Sequence, residues 1–189
     1  MNLPNKLTIL RIILVPVFLV LLLNFDNLTW AAGLVFVVAS LTDLADGKIA
    51  RKYNLVTNFG KFADPLADKL LVSAALIALC TMGKLGTPVL GAWATFIIIA
   101  REFMVTGIRL VAAAEGKVIA AGMSGKIKTT VQMITVVYIL FADLIIGIGL
   151  PESFSSILTI ILVLASVIMT VYSGCEYLIQ NKSLLDTNK

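Results

Sequence analysis

Four aspartates carry the chemistry for which this sequence can be read. Asp43 and Asp46 stand three residues apart and Asp64 and Asp68 four apart, within the stretch TDLADGKIARKYNLVTNFGKFADPLAD at residues 42–68. On a helix, neighbours at these spacings share a face and are separated along the axis by about 4.5–6 Å. A short connection makes two such helices antiparallel neighbours, so the four carboxylates can converge on one site. Carboxylate oxygens without thiolate or imidazole suit hard cations, so the expected metal is Mg2+ or Mn2+ rather than zinc or copper. Four aspartates can hold two ions about 3.5–4 Å apart, the spacing that clamps attacking and leaving oxygens in phosphoryl chemistry. The plainer alternative makes them helix-end charges paired with Lys48, Arg51, Lys61 and Lys69. Two aspartate pairs flanking one short connection favour the metal.

The residues between the two pairs leave more room for alternatives. Gly47 and Ala50 lie one and two turns from Asp43 and leave one helical face without bulk. A planar base or a diphosphate could approach the backbone there, although close helix packing in membranes uses small residues in the same way. Arg51 either binds a phosphate or belongs to a basic belt. Gly60 falls in the connection, where a turn is the simple explanation. Pro65 suits the first turn of the following helix.

Composition sets the elements that must position these side chains. Of 189 residues, 59% are hydrophobic and 14% charged, with no histidine and two cysteines. A soluble domain has about 45–50% apolar and about 25% charged residues. With a mean hydropathy of +1.01, this chain cannot cover itself with a polar surface. The absent histidine excludes Ser-His-Asp hydrolysis, histidine-ligated zinc and imidazole acid–base work. Cys80 and Cys175 sit in apolar stretches and are expected to be inert buried thiols, not a disulfide framework or a CxxC site. The net charge of +4 comes without long basic runs or interleaved aromatics, so nucleic acid is not an expected partner.

Six apolar segments, roughly 6–25, 29–50, 63–83, 88–113, 124–148 and 153–179, are long enough to cross a bilayer as helices. The expected fold is therefore all-α: a polytopic six-span bundle forming a single integral-membrane domain over 1–189. Its first segment lacks a small-residue cleavage site and is read as a retained span. Eleven of the fifteen basic residues border one side of the bundle, among them Lys6, Arg11, Lys48, Arg51, Lys126 and Lys128, against Lys84 alone on the other. The excess of positive charge on cytoplasmic loops puts both termini in the cytoplasm, in the cell membrane. The acidic stretch lies on the same side. Asp143 and Glu152 flank the opposite loop and are expected to be solvated. An ionised aspartate in a span costs about 2.5–3.5 kcal/mol, and four together also repel one another, which is a further reason to expect bound cations.

The pattern Asp43-x2-Asp46-Gly47-x2-Ala50-Arg51-x8-Gly60-x3-Asp64-x3-Asp68 resembles the complete signature of the CDP-alcohol phosphatidyltransferases. The resemblance implies a six-span enzyme with its site at the cytoplasmic membrane surface, displacing CMP from a CDP-alcohol with an acceptor hydroxyl. It implies that Asp43, Asp46 and Asp64 ligate the metals holding the CDP diphosphate. Asp68 would be a ligand and also the general base, and Gly47, Ala50, Arg51 and Gly60 would line the nucleotide pocket. The segments at 2–18, 54–72, 100–113 and 125–133 are most similar to bacterial phosphatidylglycerophosphate synthases, over about two-thirds of the chain. Loops and the last span add nothing. The implied substrates are CDP-diacylglycerol and sn-glycerol 3-phosphate, with CMP as product, the membrane lipid as surroundings and a homodimer as the usual assembly.

An anionic acceptor requires cations. Arg109 and Lys126 are the expected contacts to its phosphate, with Arg101 and Lys128 behind them. Arg101 could instead pair with Glu102, and the two lysines could belong to the basic belt. Thr8 and Arg11 are weaker candidates for the nucleotide site. The competing readings are a transferase with another acceptor, such as phosphatidylglycerol in a cardiolipin synthase or an inositol phosphate, and a small cation transporter with an acidic site. Transport predicts acids near the midplane, whereas here they crowd one edge.

Overall fold

A computed structural model describes residues 3–25, 28–52, 58–114, 116, 119 and 122–182, and only the backbone at 3–4, 43–52, 58–65, 68 and 114. Among the described residues six helices follow in order: α1 (Leu3–Asn24), α2 (Thr29–Lys52), α3 (Asn58–Thr81), α4 (Pro88–Ala114), α5 (Met123–Gly147) and α6 (Glu152–Gln180). All the described regular structure is helical, as lipid demands of a chain with no water to satisfy its backbone. Among the described residues, three helical stretches are long and apolar enough to cross a bilayer: Asn5–Asn24, Met123–Gly147 and Glu152–Gln180. Shorter apolar stretches, Thr29–Thr42 of α2 and Lys69–Thr81 of α3, lie on either side of the acidic stretch.

Helix ends agree with the apolar segments to within a few residues except at α3. That helix begins at Asn58 rather than near residue 63, so Gly60 lies in a helix rather than in a turn. Pro65 lies beyond the first turn and leaves the carbonyl of residue 61 without its usual donor. Hydropathy marks where a span enters lipid, whereas a helix continues as long as its backbone bonds can form. The far end of α3 closes on Gly83, whose φ of 68° is left-handed. Its amide donates to Cys80 O and that of Lys84 to Leu79 O, at 3.0 and 2.9 Å. This cap needs a residue free to adopt positive φ. Gly149 closes α5 in the same way, with φ 117°.

The chain forms two compact units. The first comprises Met1–Lys84 and Val136–Glu152, in which α1 packs on both α2 and α3. Its core includes Val15, Phe18 and Leu22 of α1, Ala32, Phe36 and Ala39 of α2, and Leu71, Ala75 and Leu79 of α3. Phe18 and Phe36 meet at 5.8 Å between ring centroids. The second half of α5 comes so close to α2 that a Cβ on Gly33 would stand 2.8 Å from Phe141. At the end away from the acidic stretch, Asp143 accepts from Thr29 Oγ1 at 3.1 Å and forms an ion pair with Lys84. Asp143 is thus tied to two other segments rather than simply solvated.

The second unit comprises Leu85–Thr135 and Ser153–Lys189. Here α6 buries Ser155, Thr159, Val163, Ser166, Thr170, Ser173, Gly174 and Tyr177, spaced mainly by threes and fours. Small side chains along one stripe let helices approach closely in a membrane. Thr135 and Ser166 hydroxyls meet at 2.8 Å, and Thr135 also donates to Leu162 O at 3.2 Å. Large apolar side chains face outward in both units, including Ile13, Leu34, Leu110, Ile168 and Ile179. Buried positions include Arg11, Lys128 and Gln132. An apolar exterior over a partly polar interior suits lipid as the solvent. Cys80 is half-buried, but Cys175 is exposed on this outer face rather than buried.

Candidate active site

The acidic positions lie where α2 ends and α3 begins. Along α2 the buried stripe Ala32, Phe36, Ala39 continues in helical register through positions 43, 46 and 50. Along α3 the buried stripe Ala78, Ala75, Leu71 continues back through positions 68 and 64. Asp43, Asp46 and Ala50, with Gly47 beside them, therefore fall in register with the packed face of α2, and Asp64 and Asp68 with that of α3. Their side chains, and those of Arg51 and Gly60's neighbours, lie outside the described residues, as do residues 53–57. Among the described residues no group of three or more cysteines, aspartates or glutamates could hold a metal ion.

Helix α1 supplies polar side chains at this end. It runs antiparallel to α2, as the Phe18–Phe36 contact and the bond from Arg11 Nε to Ala39 O at 3.3 Å require. Arg11 is 0% exposed, and Thr8 and Asn5, one and two turns further toward the acidic stretch, are also buried. The carbonyl of Ala39, one turn before Asp43, also accepts from Thr42 Oγ1 at 2.7 Å. Arg11 thus belongs to the interior of the first unit and not to a solvated basic belt.

The four expected acceptor cations all lie in the second unit, in two different settings. Arg101 Nη1 donates to Glu102 Oε1 at 3.0 Å, and Lys128 Nζ forms an ion pair with the same oxygen. Lys128 is 1% exposed. Arg101 runs between two glycines: a Cβ on Gly174 would meet its Cγ at 3.2 Å, and one on Gly125 its Nη2 at 3.7 Å. Arg109 and Lys126 are exposed. Arg109 is not alone, since its Cζ lies 5.6 Å from the ring centroid of Tyr177. Glu102 therefore gathers two of the four cations, and the other two are exposed.

A family model for CDP-alcohol phosphatidyltransferases matches residues 1–172. The chain belongs to this family. Among curated relatives, the CDP-diacylglycerol–glycerol-3-phosphate 3-phosphatidyltransferase of Bacillus subtilis (strain 168) is 46% identical over 99% of this chain and 98% of its own. A probable phosphatidylglycerophosphate synthase of Mycobacterium tuberculosis is 37% identical over 93% of this chain and 79% of its own. A transferase of Shigella flexneri with the same name as the Bacillus protein is 34% identical over 94% and 93%.

In this CDP-alcohol phosphatidyltransferase, two side chains that touch the expected acceptor cations carry little signal in the sequence. Glu102 is visible there only as a possible partner of Arg101, and its bond to Lys128 crosses 26 positions that no local pattern links. Tyr177 sits in the last span, which carries no motif. Its only signal is its place at the end of the threes-and-fours stripe of α6.

Proposed function

We propose that this chain transfers the phosphatidyl group of CDP-diacylglycerol to sn-glycerol 3-phosphate, giving phosphatidylglycerophosphate and CMP. The observation that carries the proposal is the match, over nearly the full length of both chains, to a Bacillus subtilis protein named for this reaction. The register of the four aspartates with the buried stripes of α2 and α3 supports it independently.

In this reading Asp43, Asp46, Asp64 and Asp68 hold two Mg2+ or Mn2+ ions, since an all-oxygen donor set of carboxylates suits hard cations. The bound ions supply charge neutralisation to the diphosphate and to the leaving CMP. Gly47, Ala50, Arg51 and Gly60 line the nucleotide side. Arg109 and Lys126 contact the acceptor phosphate, and Arg101 and Lys128 stand behind them in the arrangement fixed by Glu102. Asp68 takes the proton of the acceptor hydroxyl, which needs an approach of about 2.6–3.2 Å. The hydroxyl oxygen then bonds to the phosphorus carrying diacylglycerol. The bond from that phosphorus to the bridging oxygen breaks, and CMP departs with the oxygen and its charge. Positioning and electrostatics provide most of the catalysis in such transfers. All six helices cross the membrane, both termini and the acidic site face the cytoplasm, and the enzyme works as a homodimer.

The test offers purified protein CDP-diacylglycerol with glycerol 3-phosphate, phosphatidylglycerol, serine or inositol phosphate, with and without Mg2+ or Mn2+. CMP is expected with glycerol 3-phosphate alone and only with metal. Asp68→Asn is expected to abolish release while the protein stays folded. Release with phosphatidylglycerol instead would move the assignment to a cardiolipin synthase.

A further inference from the structure

We infer that Tyr177 is a positioning residue that holds Arg109 in the orientation in which it meets the acceptor phosphate. The inference rests on the proposed role of Arg109 in acceptor binding. Tyr177 is 7% exposed and forms a cluster with Val105 and Ile108, against which Ile119 and Leu178 also pack. Val105 and Ile108 stand one turn and one residue before Arg109 on α4, so the ring is fixed beside the backbone that carries the arginine. Arg109 itself is exposed, with Cζ 5.6 Å from the ring centroid, inside the range over which a guanidinium is attracted to an aromatic face.

The geometry suits anion binding. A guanidinium carries five N–H donors, so one held beside an aromatic ring still has donors for a phosphate. A long, exposed side chain loses rotamer freedom when it binds a ligand, and one already resting on a fixed ring loses less. The Tyr177 hydroxyl is buried and has no hydrogen-bond partner among the described residues. Within this cluster, then, the ring contributes its π face and its packing. The hydroxyl contributes neither.

The experiment measures CMP release by the full-length enzyme in detergent–lipid micelles, varying glycerol 3-phosphate and CDP-diacylglycerol separately. Tyr177→Leu is expected to raise KM for glycerol 3-phosphate about fivefold, with kcat and KM for the lipid within about twofold, consistent with a partly exposed cation–π contact. Tyr177→Phe should restore KM to near the parent value. Replacing Tyr177 with a trifluorinated phenylalanine, which keeps the shape but weakens the negative face, should raise KM again, a change that a purely packing role would not produce. In an Arg109→Ala background none of the three replacements should change KM further. If Arg109→Ala raises KM but the fluorinated ring does not, the positioning role is overturned and the acceptor reading stands. The positioning role is likewise overturned if Tyr177→Phe behaves like Tyr177→Leu. If Arg109→Ala leaves KM for glycerol 3-phosphate unchanged, the acceptor reading of Arg109 fails and the role of Tyr177 fails with it.

Discussion

At the scale of single residues, the second unit shows how a carboxylate organises cations within a largely apolar bundle. Arg101 and Lys128 share one oxygen of Glu102, and Lys128 is almost wholly enclosed. Removing one member of a buried ion pair leaves charge that neither water nor lipid solvates well, which costs about 3–5 kcal/mol. Glu102→Gln, similar in shape but neutral, should therefore destabilise the protein by about 3 kcal/mol, measured as a lowered thermal midpoint in detergent. Retained stability would mean that the two cations do not depend on this carboxylate. At the acceptor, Arg109→Ala should raise KM for glycerol 3-phosphate by about tenfold or more, given a charge-assisted bond of about 1.5–3 kcal/mol, and leave KM for the lipid nearly unchanged. Equal effects on both substrates would remove Arg109 from the acceptor site. Sequence spacing exposed the aspartates because both pairs lie on local helical repeats. It could not separate Arg11 and Lys128 from a solvated belt. Position along a helix indicates depth, but whether a charge faces in or out depends on how the helix is rotated against partners far away in the chain.

At the scale of elements, close helix approach is decided at a few small residues, and two glycines make opposite predictions. A Cβ on Gly33 would lie 2.8 Å from a ring atom of Phe141 and 3.3 Å from Leu140 Cβ. The ring cannot swing aside as the tip of a flexible chain would, so Gly33→Ala should destabilise the protein by about 1–3 kcal/mol. A Cβ on Gly107, within α4, would meet nothing within 4 Å. Gly107→Ala should stabilise by about 0.5–1 kcal/mol, because alanine loses less conformational freedom in a helix. Thermal unfolding of both variants in the same detergent decides this, and equal shifts would show that α2 and α5 do not meet as closely as described. Five of the six helix starts were legible from hydropathy. The start of α3 was not, because NFGKF at 58–62 is helical without being apolar. The pairing of α6 with α5 through Thr135 and Ser166 was not legible either, since small polar residues appear in packed stripes and in loops alike.

At the scale of the whole molecule, the proposed topology puts the acidic stretch where lipid headgroups are. The 24 residues of α2 rise about 36 Å, more than the hydrocarbon thickness of about 30 Å. Thr29–Thr42, the apolar stretch before the first aspartate, rises about 21 Å. In that topology the remainder carries Asp43 and Asp46 through the boundary between lipid and water, and α3 brings Asp64 and Asp68 back through the same layer. A substrate whose acyl chains stay in the bilayer presents its diphosphate in that layer, so a site there needs neither extraction of the lipid nor deep entry of a charged acceptor. The proposed orientation rests on basic residues crowding the acidic side in the sequence, with Lys84, paired with Asp143, on the other. A phosphatase reporter that folds only outside the cytoplasm should therefore be inactive when fused after Lys182 and active when inserted at Gly83. The reverse pattern would place the acidic site on the outer surface, away from cytoplasmic CDP-linked substrates, and would overturn the proposed topology.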